Sequence, residues 1–242
     1  MFALALLGAV ALVGQSRVGS PRAATSPRAS IAAAAVGAGP TGYVLPGEVD
    51  EDFLLSQSTF PIKPPALIEL TKRLYGECKV GLADESVLAD TFQFCAPFVG
   101  PLEKTPYLAA LRNFKIEDAF PDTNPQYHGF RVDPFEPNRV WFNIRVKATH
   151  TGETKAFGKA TSKALVFPPQ AHSVVFNAEG KVTEMTVGYP VDRRVGNTGG
   201  LGGAFGYFYG IGRPLPIPEC KPYARSLQFR ALNLIGRIFS RN

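Results

Sequence analysis

The sequence of 242 residues is long enough for one compact domain with a substantial core, and its formal net charge of +6 is only mildly basic. Half of that excess comes from Arg17, Arg22 and Arg28, within the first 47 residues. Because no basic cluster or interleaved aromatic pattern is present, the composition argues against nucleic-acid binding. The three cysteines are widely spaced, which argues against a disulfide framework and against a zinc site.

Residues 1–47 have the composition of a targeting segment. Phe2–Gly14 is an unbroken apolar run, typical of a signal-peptide core and too short to span a bilayer. From Arg17 to Gly47 there is no acidic residue, as in organelle transit peptides. A signal followed by a transit segment predicts import into a plastid (chloroplast) through the secretory route, as in algae. Secretion is the alternative, and residues 48–64 are predicted to be a linker.

Two amphipathic helices are predicted next along the chain. The first covers Pro65–Cys78, where apolar residues recur on one stripe, and the second covers Pro106–Phe114. Thr105 is the predicted N-cap of the second helix, and a proline follows it in the first turn. Between the two helices, the sequence predicts a short helix over Asp84–Ala89 and a strand over Thr91–Pro97.

A series of strands follows the helices. Over Arg139–His150, apolar residues alternate with polar ones, which predicts a half-buried strand with His150 at the end of the buried row. The turn Asn177–Gly180 separates two β-rich runs, Leu165–Phe176 and Lys181–Val191, and predicts a hairpin. Helices followed by consecutive antiparallel strands indicate an α+β domain.

The order of several short motifs resembles one family. Phe-Pro-Asp at 120–122, Thr-His-Thr-Gly at 149–152, and Gly-Lys-Val at 180–182 followed by a strand and Asp192 resemble the SnoaL-like polyketide-cyclase group of the nuclear-transport-factor-two-like superfamily. The resemblance covers residues 65–195. It implies a cone-shaped, curved antiparallel sheet with the N-terminal helices packed on its concave face. Residues 196–242 are then a glycine-rich and aromatic segment with a C-terminal helical extension.

The resemblance also assigns site residues. It implies that Asp192, at the end of the last strand, acts as a general acid/base, with His172 as a helper. Asp192 faces inward only if Tyr189 and Pro190 form a bulge that resets the strand alternation. The alternatives are that Asp192 pairs with a neighbouring arginine and that His172 is a hydrogen-bonded core histidine.

Four further residues are predicted to form the wall of a pocket for a flat hydrophobic ligand. In the family, the aromatic row that corresponds here to Phe92, Phe94 and Phe98 forms part of the pocket wall. Phe92 fits the core better than Phe94 or Phe98 does. His150 is also compatible with a structural role at its strand end. These predicted binding residues are Phe94, Phe98, His150 and Tyr189, and neither a metal nor an organic cofactor is expected.

The tail contains a crowded aromatic segment, Ala204–Gly212, and a striped basic helix, Ala224–Ser240. The aromatic segment needs cover, either as a lid over the mouth of the cone or against a partner or membrane surface. The helix suits an anionic membrane surface or a partner groove, unless it packs on its own domain.

Two classes of function remain open from the sequence. The first is a plastid enzyme of the cyclase, isomerase or hydratase kind, acting on a hydrophobic carbonyl compound through acid/base chemistry. The second is a non-catalytic ligand-binding or assembly subunit associated with thylakoid complexes. A closed pocket lined by polar groups around Asp192 would favour the first class.

Overall fold

The computed structural model describes residues 45–239, with side chains as far as Ile235. The predicted signal and transit segment therefore lies outside the described residues, apart from its last three positions. Among residues 45–239, no helix is long and apolar enough to cross a membrane.

Six α-helices lie along the described chain, and two of them precede the sheet. They are α1 (Glu51–Ser56), α2 (Pro64–Gly76), α3 (Lys104–Phe114), α4 (Ile116–Ala119), α5 (Gly203–Gly210) and α6 (Leu227–Phe239). Short 3₁₀ turns occur at Lys79–Gly81, Glu85–Val87 and Pro218–Cys220. The stretch predicted as a linker thus contains α1, which Asp50 caps by accepting a hydrogen bond from the Phe53 amide at 2.8 Å.

The strands form one large and one small sheet. They are β1 (Leu88–Cys95), β2 (Leu102–Glu103), β3 (His128–Val132), β4 (Arg139–Ile144), β5 (Lys147–Thr149), β6 (Ala164–Val166), β7 (Gln170–Phe176) and β8 (Val182–Pro190). The large sheet has the order β2-β1-β8-β7-β4-β3, and β5 pairs with β6 separately. All pairs are antiparallel except β1 with β8, which is parallel. The predicted α+β class with a curved sheet is confirmed.

Local details differ from the sequence predictions for physical reasons. Glu103, which has extended dihedral angles, is the N-cap of α3, so Thr105 lies inside the first turn. The predicted strand Arg139–His150 breaks after β4, because the Arg145 amide donates to the carbonyl of Pro125 at 2.8 Å, outside the sheet. The predicted alternation continues across the break, and His150 is fully buried.

The core lies between the large sheet and the helices and is rich in phenylalanine. Its largest fully buried rings are Phe92, Phe120, Phe142, Phe157, Phe167 and Phe176. Phe92 is a core residue, as predicted, and Cys78 and Cys220 are also buried. The aromatic segment of the tail forms α5 and folds back onto this core, where Tyr207, Phe208 and Ile211 are buried.

Candidate functional site

A small cavity lies where β7 and β8 approach α2 and the beginning of α5. Its volume is about 160 Å³. Most of its wall is apolar, and the lining residues include no Asp, Glu, Lys or Arg. The wall is formed by Tyr75, Thr123, Pro125, Tyr127, Ile144, Val146, Phe167, Gln170, His172, Val187, Gly188, Gly203 and Tyr207.

Three polar atoms of the lining residues are buried without a hydrogen-bond partner among the described residues. They are the hydroxyl of Tyr75, Nε2 of Gln170 and Nδ1 of His172. Buried polar atoms in folded proteins are nearly always hydrogen-bonded, because an unpaired one costs about 1–3 kcal/mol. The three residues that carry these atoms surround one apolar cavity, which makes it the candidate site for a bound molecule.

His172 is positioned by a bulge in β8. Ala171 pairs with Tyr189 and Ser173 pairs with Thr186, so His172 lies opposite two residues of β8 instead of one. One of these is Gly188, which has a φ of +78° that side chains disfavour. The bulge is therefore at residues 187 and 188, and not at Tyr189 and Pro190, where Asp192 would need it in order to face inward.

The bulge fixes the tautomer of His172, and burial fixes its charge. The Gly188 amide donates to Nε2 at 3.3 Å, so Nε2 is an acceptor and the ring proton lies on Nδ1. Burial lowers the pKa of His172 to about 3, so the ring is neutral at physiological pH. His172 thus presents a neutral N–H donor.

Gln170 is held by the tail. Its Oε1 accepts a hydrogen bond from the Gly203 amide at 2.9 Å, which leaves Nε2 as an unpaired donor. The approach is close, because a Cβ at Gly202 would lie 2.3 Å from the carbonyl oxygen of Gly188 and 2.7 Å from Oε1 of Gln170. The glycine-dense stretch before α5 therefore allows the tail to reach the end of the sheet.

Tyr75 projects from α2 into a group of rings. Its ring centre lies 5.1 Å from that of Phe142, 5.5 Å from that of Tyr127 and 6.4 Å from that of His172. Burial raises the pKa of Tyr75 well above its ordinary value, so the hydroxyl keeps its proton and can donate. Burial likewise raises the pKa of Tyr207, across the cavity, to about 12.

Asp192 does not line this cavity. Its carboxylate accepts two hydrogen bonds from the guanidinium of Arg194, both at 2.9 Å, and a third from the Arg194 amide at 3.0 Å. The hydrogen bonds from Arg194 lower the pKa of Asp192 to about 2. The structure therefore places Asp192 in the arginine pairing that was the alternative to catalysis, beyond the end of β8 and apart from His172.

The four residues predicted to line a pocket also lie outside the cavity. Phe94 stacks on Tyr107 with ring centres 5.0 Å apart, and Phe98 and Tyr189 are 52% and 42% exposed. His150 is buried beside Phe120, and its Nδ1 lies 3.0 Å from the hydroxyl of Thr161. Of the predicted site residues, the structure brings only His172 into the cavity.

Sequence reasoning missed Tyr75 and Gln170. Gln170 had a signal, because it shares the strand parity of His172 and therefore continues its buried row towards the start of β7. Tyr75 had none, since it follows Leu74 beside the apolar stripe of α2 and meets the cavity only through tertiary packing.

No family model matches the chain, and no curated protein sequence matches it either. Among solved structures, it is similar to a protein from Jannaschia sp. CCS1 assigned to the SnoaL-like polyketide cyclases, with 15% identity and a TM-score of 0.41, over 54% of this chain and 88% of that one. It is also similar to IdmH from Streptomyces antibioticus, assigned as a polyketide cyclase, with 13% identity and a TM-score of 0.40, over 50% and 89%. An NTF2-like protein from Anabaena variabilis gives 13% identity and a TM-score of 0.38, over 52% and 90%. Each of these three similarities extends over about half of this chain.

Proposed function

We propose that the protein binds a small hydrophobic carbonyl compound in this cavity, with the carbonyl oxygen hydrogen-bonded by Tyr75, Gln170 and His172. The observation that carries the proposal is that three residues around one apolar cavity each carry a buried polar atom without a partner among the described residues. Two of them, Nε2 of Gln170 and Nδ1 of His172, are donors, and the Tyr75 hydroxyl can donate as well. A ligand oxygen would pair them where the protein itself does not.

The electrostatics of the wall favour a neutral ligand. Among the described residues that line the cavity none is cationic, so a carboxylate would be buried without a counterion, which is costly. None of these described residues is anionic either, so an amine would meet the same penalty. A ketone, aldehyde or ester oxygen accepts hydrogen bonds without carrying a charge.

The size of the cavity limits the ligand. Its 160 Å³ is close to the roughly 150 Å³ of an apolar cavity that holds benzene. A ligand of about six to ten non-hydrogen atoms would fill such a space. The cavity as described is therefore suited to a fragment-sized compound.

Binding is better supported than acid/base turnover. A general base needs a free lone pair and a pKa near the working pH. The low pKa of His172 and the hydrogen bond that occupies its Nε2 make it a poor base, and Asp192 lies elsewhere. The ligand-binding class, which the sequence left as the alternative, therefore fits the cavity better.

A cyclase- or isomerase-type reaction remains the second candidate, for one reason. Donors aimed at a carbonyl oxygen also stabilise the enolate that forms when a neighbouring C–H loses its proton. Exchange of the α-hydrogens of a bound ketone into D₂O, followed by NMR, separates the two candidates. Exchange no faster than in buffer supports binding alone, whereas accelerated exchange supports the enzyme.

Removing the hydroxyl of Tyr75 tests the site directly. Tyr75→Phe should weaken binding of acetophenone about tenfold, the worth of one hydrogen bond of about 1.4 kcal/mol. It should leave binding of α-methylstyrene unchanged, because that molecule replaces the carbonyl oxygen with a CH₂ group. Ligand-observed NMR titration measures both affinities.

Stability provides the internal control for this test. Because the hydroxyl has no partner in the described structure, Tyr75→Phe should leave the free energy of unfolding unchanged or raise it by up to about 1 kcal/mol. Tyr189→Phe, on an exposed tyrosine, is the matched variant and should change neither affinity. Unchanged acetophenone binding in Tyr75→Phe would contradict the proposed carbonyl site.

We also infer that the protein acts in a plastid, from the apolar run Phe2–Gly14 followed by the acid-free stretch up to Gly47. A fluorescent reporter fused to residues 1–47 should enter the plastid of an alga that imports through the secretory route. The same fusion without Phe2–Gly14 should stay in the cytosol, because the first step is lost. Secretion of the intact fusion into the medium would refute the assignment.

A further inference from the structure

The helix α6 presents apolar side chains to solvent. Every residue from Lys221 to Ile235 is exposed, including Leu227 at 74%, Leu232 at 69% and Leu234 at 61%. A 13-residue helix is marginally stable in water without tertiary packing. The exposed apolar surface and the short length both indicate that this helix is covered by something in its working state.

The apolar surface of α6 is broad. At 100° per residue, Leu227, Ala231, Leu234 and Ile235 lie on one side, and Leu232 extends that side further round the helix. Such an arc is wider than the single seam of apolar residues that pairs two helices in a coiled coil. Its width suits a continuous apolar medium better than one partner helix.

The charge of the segment has a single sign. Residues 220–242 contain five basic residues and no acidic one: Lys221, Arg225, Arg230, Arg237 and Arg241. In contrast, residues 48–219 carry all 20 acidic residues and 18 of the 26 basic ones. The tail therefore complements an anionic surface, while the rest of the domain does not.

We propose that α6 docks on the surface of a membrane containing anionic lipids, with its apolar side among the acyl chains and its arginines at the headgroups. Its 13 residues extend about 20 Å, less than the roughly 30 Å hydrocarbon core, so the helix lies in the interface instead of crossing it. Pairing with a second copy would bring two acid-free basic segments together and is disfavoured by their repulsion. This docking is independent of the ligand cavity.

Vesicle co-sedimentation of the full chain tests the proposal with a charge-matched pair of variants. Leu234→Glu and Asn233→Glu each add one negative charge to α6, but only the first removes an apolar side chain. The unmodified chain should bind vesicles of phosphatidylcholine with phosphatidylglycerol, and bind them less tightly at high salt. Leu234→Glu should weaken this binding at least about tenfold more than Asn233→Glu.

Three outcomes would overturn the proposal. The first is that the two variants lose binding equally, or that neither loses it. If neither loses it, any affinity for vesicles would be assigned to the apolar run at residues 2–14. The second is equal binding to vesicles of phosphatidylcholine alone. The third is a concentration-dependent dimer in sedimentation velocity that Leu234→Glu abolishes, which would assign the surface to a second copy. Because residues 221–235 are exposed, both variants should keep the thermal stability of the unmodified chain.

Discussion

Acidification from pH 6.5 to about 4.5 is expected to lower the free energy of unfolding by about 2–3 kcal/mol, chiefly through His172. The folded-state pKa of His172 is about 3, because burial disfavours the charged ring, whereas an unfolded histidine titrates near 6.5. The unfolded chain therefore binds a proton in this window that the native chain does not. The stabilisation is fully present above pH 6.5 and falls by about 1.4 kcal/mol per pH unit down to the folded pKa.

His172→Gln isolates this contribution. Glutamine keeps an acceptor within reach of the Gly188 amide but does not titrate, so the pH dependence of stability in this window should become shallower by about one proton. Urea unfolding at a series of pH values measures the slope. An unchanged slope in the variant would show that His172 is not buried in the neutral form.

His150 contributes in the same direction and needs its own control. Burial, with the charge of Arg213, lowers the pKa of His150. The free energy of unfolding therefore also falls through His150 as the pH drops below 6.5. His150→Asn keeps a polar group near Thr161 and removes the titration.

Asp122 affects stability only at lower pH. The hydrogen bond from Thr149 lowers the pKa of Asp122, so its contribution to the free energy of unfolding is lost only below the ordinary carboxylate range.

Local patterns predicted the fold where contacts are local. The alternation that ends at His150 and the hairpin at Asn177–Gly180 both recur in the structure, because strand periodicity and turn chemistry act over a few residues. His172, Val174 and Phe176 alternate along the predicted strand, and all three are buried. Fold class and strand faces were therefore accessible from the sequence.

The candidate site depends on contacts that no local pattern encodes. Gln170 is oriented by Gly203, 33 residues later, and Tyr75 meets His172 across nearly a hundred residues. A bulge of one residue at Gly188 changes the register of β8, and Asp192, beyond the end of that strand, pairs with Arg194. The sequence named the right strand pair but not the polar groups that line the cavity.

The two parts of the tail also separate for a physical reason. In α5, glycine lies where the helix backbone touches the core, which lets the aromatic side chains of the helix reach it. A Cβ at Gly206, for example, would lie only 2.5 Å from the ring of Phe167. In α6, no comparable close approach is described, and its apolar side remains exposed. The sequence offered both packing and docking for the tail. In the described structure α5 packs on the core and the described side chains of α6 do not, so the docking of α6 stays a proposal.

Truncation after Arg194 is expected to leave a domain that unfolds or precipitates. It removes Tyr207, Phe208 and Ile211, each more than nine-tenths buried, and uncovers the ring of Phe167 against which Tyr207 packs at 4.6 Å between centres. At about 1.5–3 kcal/mol for each large buried side chain, the loss is on the order of 5–9 kcal/mol, against a typical total stability of 5–15 kcal/mol.

Truncation after Tyr223 is the matched control for this experiment. It removes α6 but keeps α5 and Cys220, so the free energy of unfolding should stay within about 0.5 kcal/mol of the full chain. Urea unfolding and light scattering measure stability and precipitation for both fragments. If the chain ending at Arg194 unfolds at the same urea concentration as the chain ending at Tyr223, then α5 is not part of the core. The orientation of Gln170 by Gly203 would then have no support either.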